Sequence, residues 1–170
     1  MEFIGEDGVP APRLKDATMT EESFAKAYLE TLKLIRDMFH NCRLVHADLS
    51  EYNLLYFREQ VWIIDVSQAV EHDHPMALEF LRRDVFNINQ FFEKNKVYTL
   101  NTKYAFEFVT ELQLEAKDPT EEIFLLRGKM EKELSAMTEE EKQKMEVDEK
   151  VFQQIFIPRT IAECSLEELE

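Results

Sequence analysis

The sequence predicts a mainly α-helical fold that carries one small β-hairpin. Apolar residues recur at three- and four-residue steps through Glu21–His40 and again through Met76–Asn95, the period of a helix with one buried face. Between them, the apolar runs Asn53–Phe57 and Val61–Asp65 match in length and flank the polar triplet Arg58-Glu59-Gln60, which predicts an antiparallel hairpin.

Taken in order, Met1–Thr18 reads as linker, because Pro10 and Pro12 break any helix. Thr20 can cap the first helix, with Ser23 standing where a full capping box has Glu. The apolar face of that helix is Phe24, Ala27, Tyr28, Leu32, Ile35, Met38 and Phe39. After the hairpin, Glu71–Pro75 reads as a turn, and the second helix directs Leu78, Leu81, Val85, Ile88, Phe91 and Phe92 inward. Further helices are expected near Asn101–Leu114 and Thr120–Glu146, with a short final one at Val151–Ile155.

At 170 residues and 45% hydrophobic content, the chain suits one domain with a tail, and its thirteen phenylalanines supply much of the core. The net charge of −15 argues against a general nucleic-acid surface, which needs clustered Lys and Arg. Residues 111–170 hold 17 acidic and 8 basic side chains, a net of −9. Such a segment is either a solvated helical face or a tail that docks a basic protein partner. Cys42 and Cys164 are too few for a disulfide framework or a structural zinc site, which fits a reducing compartment. No apolar run is long enough to span a bilayer and Met1 opens no signal-peptide pattern, so the expected location is cytoplasmic, away from membranes.

The chemistry concentrates in Leu44-Val45-His46-Ala47-Asp48-Leu49-Ser50-Glu51-Tyr52-Asn53 and in Asp65 at the end of the second apolar run. Phosphoryl transfer asks for a carboxylate to accept the proton of an attacking hydroxyl and for oxygen ligands that hold Mg²⁺ against phosphates. Asp48 suits the first role. The hairpin would bring Asn53 and Asp65 to one mouth, where an amide and a carboxylate can share a cation. An ordinary hairpin would use the same residue types as turn formers, and that reading stays open on the spacing alone. A two-metal hydrolase is a weaker fit, since it wants further acid or His ligands.

The block LVHADLSEYNLLY…VWIIDVSQAVEHDHP, from Leu44 to Pro75, resembles the RIO family of atypical protein kinases, and His72-Asp73-His74-Pro75 looks most like its type-one subgroup. Met1-Glu2-Phe3-Ile4-Gly5 with Pro10-Ala11-Pro12 is similar to the family hinge. Val147-Asp148-Glu149-Lys150-Val151-Phe152 and Ile157-Pro158-Arg159-Thr160 are similar to the subgroup's C-terminal extension. The resemblance implies a protein-kinase-like C-terminal lobe with ATP and Mg²⁺ as cofactors. It implies Asp48 as proton acceptor, Asn53 and Asp65 as metal ligands, and Asp65 as a site of aspartyl-phosphate formation. Glu2 and Ile4 would offer backbone groups to adenine, over an apolar floor of Leu55 and Ile64. It further implies a role on the pre-ribosomal small-subunit particle. Ala47 stands where most protein kinases carry Arg, which argues against control by a phosphorylated activation loop.

On this resemblance the chain divides into a hinge and linker (1–18), a C-terminal lobe (19–115) and an acidic helical extension (116–170). It begins at the hinge, and Gly5, Gly8 and Gly128 are not spaced to cradle phosphate, so the N-terminal lobe is expected to be absent and the isolated chain to transfer little phosphate. The alternative function is a non-catalytic interaction module that keeps the lobe's fold. Of the remaining candidates, His46 is expected to bond backbone and hold its loop, His72-Asp73-His74 to form a turn, and Asp84 to anchor loop amides from the second helix. Met130, Met137 and Met145 read as core or groove filler.

Overall fold

Helix α1 (Glu21–His40) starts where expected: Thr20 is extended, and its Oγ1 accepts from the Ser23 amide at 3.2 Å. The helix buries Ala27, Tyr28, Thr31, Leu32 and Ile35, while Phe24, Met38 and Phe39 are half-buried at its edges. The computed structural model describes residues 2–155, without the side chains of 153 and 155. The expectations placed on Met1, on Ile157-Pro158-Arg159-Thr160 and on Cys164 lie outside the described residues.

Helix α2 (Ala77–Lys94) buries Leu81, Val85, Ile88, Phe91 and Phe92 together with Asp84 and Asn89. Leu78 is a correction, being 52% exposed. The buried stripe runs back from Val85 through Leu81 to Ala77 in steps of four, and Leu78 lies about 100° around the axis from Ala77, outside it.

Helix α3 (Thr102–Thr110) is capped by Asn101, whose Oδ1 accepts from the Tyr104 amide at 3.0 Å. It stops short of Leu114 because Glu111 turns extended and Arg36 of α1 donates to the Phe108 and Glu111 carbonyls, both at 2.6 Å. Those bonds satisfy carbonyls that a continuing helix would have used.

The expected helix Thr120–Glu146 is two helices, α4 (Pro119–Ala136) and α5 (Glu139–Ile155). Asp118 caps α4 ahead of Pro119, accepting from the Thr120 and Glu121 amides at 2.8 and 3.0 Å. The break is a capping box. The Thr138 amide donates to Glu141 Oε2 at 2.8 Å and the Glu141 amide donates to Thr138 Oγ1 at 3.3 Å. Donation from the Thr138 amide and then from its hydroxyl holds the Glu141 carboxyl below its ordinary range. Val151–Ile155 completes α5 rather than forming a separate helix.

The strands form three two-stranded antiparallel sheets. β1 (Gly5–Glu6) and β2 (Val9–Pro10) make a hairpin in what read as linker, turning through Asp7 and Gly8 at φ +49° and +79°. An Asp-Gly pair at positive φ is a type I′ hairpin signal, and it was there in the sequence. β3 (Leu44–Val45) pairs with β6 (Val70–Glu71). β4 (Leu54–Phe57) pairs with β5 (Gln60–Ile63) through a two-residue turn, Arg58-Glu59, with φ of +51° and +60°. Gln60 therefore belongs to a strand and not to the turn.

Contacts divide the chain into two units, Met1–Met130 and Glu131–Glu170. In the first, α1 packs on α3, β3 and β5, and α2 packs on α3 and β3. At the centre the Tyr28 hydroxyl donates to Asn89 Oδ1 at 2.9 Å and accepts from the Leu100 amide at 3.0 Å. Asn89 Nδ2 donates back to the Leu100 carbonyl at 2.8 Å. This closed, buried triangle ties α1, α2 and the entry to α3. Tyr28→Phe strands a buried amide and a buried carbonyl, and urea denaturation should show a loss of about 1–3 kcal/mol.

Candidate active site

The segment His46–Asn53 links β3 to β4, and each of its backbone bends has an identifiable restraint. His46 is 3% exposed; its Nδ1 accepts from the Asp48 amide at 3.3 Å and its Nε2 lies 2.9 Å from the Ile64 carbonyl. An amide can only donate, so these partners place the ring proton on Nε2. His46 thus clasps the loop to the end of β5, the structural role expected of it.

Ala47 has φ +68°, the left-handed region that a side chain disfavours. Asp84, buried at 1% exposure on α2, holds it there. Its Oδ2 accepts from the Ala47 amide at 2.8 Å and its Oδ1 from the Leu49 amide at 3.0 Å. Arg83 donates to the Ala47 carbonyl. Leu49, 1% exposed, plugs the loop into the core, so Asp48 is held between two anchored residues with its own side chain exposed. Burial pushes the Asp84 carboxyl up to about 7, opposed by the two amides and by Arg83.

Asn53 Nδ2 donates to the Asp48 carbonyl at 2.5 Å, which turns its Oδ1 the other way. The Ile64 amide donates to the Asn53 carbonyl at 2.9 Å, so the β4–β5 register continues one step and sets Asn53 opposite Ile64, with Asp65 next in line. Asp65, at φ +56°, leaves the strand exposed, and its Oδ1 accepts from Ser67 Oγ at 2.7 Å. Strand alternation places Asn53, Leu55, Trp62 and Ile64 on one face of the hairpin. Leu54 and Val61, 0% and 4% exposed, occupy the other, toward the core where α1 packs on β5.

The Asn53–Asp48 bond and the Asn53–Ile64 pairing bring the backbone at Asp48, Asn53 and Asp65 to one hairpin mouth, and Leu55 and Ile64 share a hairpin face. Glu2 and Ile4 lie just before β1. The Ile4 carbonyl already accepts from the Ala11 amide at 2.9 Å, so one of its two lone pairs is engaged. The segment is moored to β4 by the Tyr56 amide, which donates to the Pro12 carbonyl at 3.0 Å, and by an Arg13–Leu55 bridge. His72 and His74 build the turn into α2: the His72 amide donates to the Arg43 carbonyl, and His74 Nδ1 accepts from the Met76 amide at 3.1 Å.

Two contributors escaped the sequence reading. Arg83 acts through a backbone carbonyl, which no spacing reveals; Ser67 sat two residues beyond Asp65 in plain view. Among the described residues no three His, Cys, Asp or Glu side chains gather as a metal site. The donor set still fits Mg²⁺, which takes one or two protein oxygens and completes its shell with phosphates and water. Asn53 Oδ1 and the second oxygen of Asp65 are oxygens of that kind.

Asp48 on a braced loop, with the Asn53 amide and the Asp65 carboxylate at the hairpin mouth, supplies the donor types that phosphoryl transfer asks for. Residues 1–105 match the model of the RIO domain, and the chain belongs to the RIO family. It is 49% identical over 161 residues to serine/threonine-protein kinase rio1 of Dictyostelium discoideum, covering 95% of this chain and 27% of the relative. It is 45% identical over 167 residues to human serine/threonine-protein kinase RIO1, covering 96% and 28%. Human RIO3 matches at 50% identity but over 68% of the chain and 22% of its own length. The matches to type-one relatives take in 95% and 96% of the chain against 68% for RIO3, which supports the type-one subgroup. The chain spans just over a quarter of the length of the type-one relatives cited.

Asp84→Asn tests the brace. The folded-state value near 7 lies above the ordinary 3.8, so this group's contribution is whole below about pH 4 and is lost as pH rises through about 7. Wild type should gain stability from this group when acidified from pH 7.5 to 5, and urea midpoints of the variant should lack that increment. Asp84→Ala, which leaves two buried amides unpaired, should cost about 3 kcal/mol.

Proposed function

We propose that this chain is the C-terminal catalytic lobe of an ATP-dependent serine/threonine protein kinase or ATPase of the RIO type. The observation that carries the reading is the direct bond from Asn53 Nδ2 to the Asp48 carbonyl on a loop braced by Asp84 and Arg83, with Asp65 at the same hairpin mouth. Family membership supports the same assignment.

In this reading Asp48 orients the acceptor hydroxyl and takes its proton, while the fixed loop spares the cost of positioning it during reaction. Asn53 Oδ1 and Asp65 hold Mg²⁺, which neutralises phosphate charge when bound. Leu55 and Ile64 form the apolar floor under adenine, and the Glu2 carbonyl and Ile4 N–H meet its edge. Asp65 also serves as a phosphate acceptor: a carboxylate oxygen bonds to the γ-phosphorus as the bond to ADP breaks, and water later cleaves the acyl-phosphate. The reading extends to a cytoplasmic role in small ribosomal subunit maturation, with the acidic 111–170 segment, net −9, docking a basic partner.

In a full-length form of the protein, Asp48→Ala should lower turnover about a hundredfold or more while MgATP binding, read by calorimetry, stays near wild type. Strong loss of binding would remove Asp48 from the role of base. Asp65→Asn should abolish any hydroxylamine-labile phosphate label from γ-labelled ATP; a label that persists places the phosphate on another residue.

A further inference from the structure

Beside the catalytic loop stands a cation that the reading above does not use. Lys15 Nζ lies 4.5 Å from the centroid of the Tyr52 ring. Tyr52 immediately precedes Asn53, four positions beyond Asp48, and is 48% exposed. We propose that Lys15, seated on Tyr52, selects phosphoryl acceptors whose flanking residues are acidic. The proposal rests on Asp48 being the group that orients the acceptor hydroxyl.

Three tethers set the position of Lys15. It lies in a 3-10 turn, Leu14–Asp16, whose Leu14 is fully buried. Arg13, just before that turn, bridges to Leu55 of β4, and the Pro12 carbonyl accepts from the Tyr56 amide at 3.0 Å. Tyr52 is fixed as well. Its amide donates to Ser50 Oγ at 3.3 Å, and the Asn53 amide donates to the Ser50 carbonyl at 3.0 Å. The base of the lysine is therefore tied to β4, and the backbone that carries the ring is part of the loop that holds Asp48 and Asn53.

The ammonium itself remains available. Among the described residues no carboxylate forms an ion pair with Lys15. A ring face engages one side of an ammonium, so further N–H donors stay directed to solvent, where a carboxylate can accept them. Tyr52 precedes β4 and has no partner in the hairpin ladder, so it belongs to the loop and not to the strand face of Leu55. The chain's net −15 does not cancel it, because salt limits exposed charges to a range of about 8 Å and a substrate side chain meets the contact charge first.

The test compares kcat/KM of the full-length protein on two serine peptides of equal length, one flanked by Asp and Glu and the other by Lys. Wild type should prefer the acidic peptide about fivefold, the range of a partly exposed ion pair. Lys15→Glu should erase or invert that preference through KM, and Lys15→Arg should restore it. An unchanged ratio in Lys15→Glu overturns the proposal, and so does a rise in KM for ATP in place of a change in peptide preference. If wild type hydrolyses ATP but phosphorylates neither peptide, the specificity role falls while the nucleotide reading stands. If wild type turns over no ATP, the functional reading fails and this proposal with it.

Discussion

Everything at the site depends on one buried carboxylate. Asp84 reaches from α2 to the Ala47 and Leu49 amides, and without it Ala47 would have no reason to remain at a positive φ. Arg83, one residue earlier on the same helix, takes the Ala47 carbonyl, so adjacent side chains grip both ends of one strained residue. Asp48 needs no partner of its own to be positioned, because its neighbours on each side are fixed. The cost is a desolvated acid, visible as a carboxyl pushed up to about 7.

A second constraint acts from the other side. His46 spans the loop and the end of β5, and Asn53 spans the loop and the start of β4. Both strands of the hairpin are thereby bonded to the segment containing Asp48. The hairpin's own register is secured by a two-residue turn at positive φ and by the buried pair Leu54 and Val61, because a slip of one residue would send those two to the open face. Register then decides that Asn53, Leu55 and Ile64 share a face.

Helix ends were less legible than helix faces. α1 and α2 were readable because long apolar stripes repeat, and Thr20 announced the first of them. The end of α3 at Thr110 was not readable, since the carbonyls left there are claimed by Arg36 from a helix some seventy residues earlier in the chain. The division between α4 and α5 was written locally in Thr138 and Glu141 but hidden by the good helix formers on both sides of Thr138. Leu78 shows the complementary error: periodicity defines a stripe, and only packing tells which edge of it stays wet.

By itself the sequence determined the mainly helical class and the hairpin, and it singled out Asp48, Asn53 and Asp65 as candidates, because period, turn chemistry and the oxygen-bearing side chains are all local properties. The resemblance to kinases, with its place on a helix face expected to be partly buried, also pointed to Asp84 as an anchor. Tertiary structure alone decided the left-handed Ala47, the Arg83 clamp, the engaged Ile4 carbonyl and the seating of Lys15 on Tyr52. Each of these joins residues distant in sequence or spends a backbone group, and a backbone donor or acceptor looks the same under every side chain.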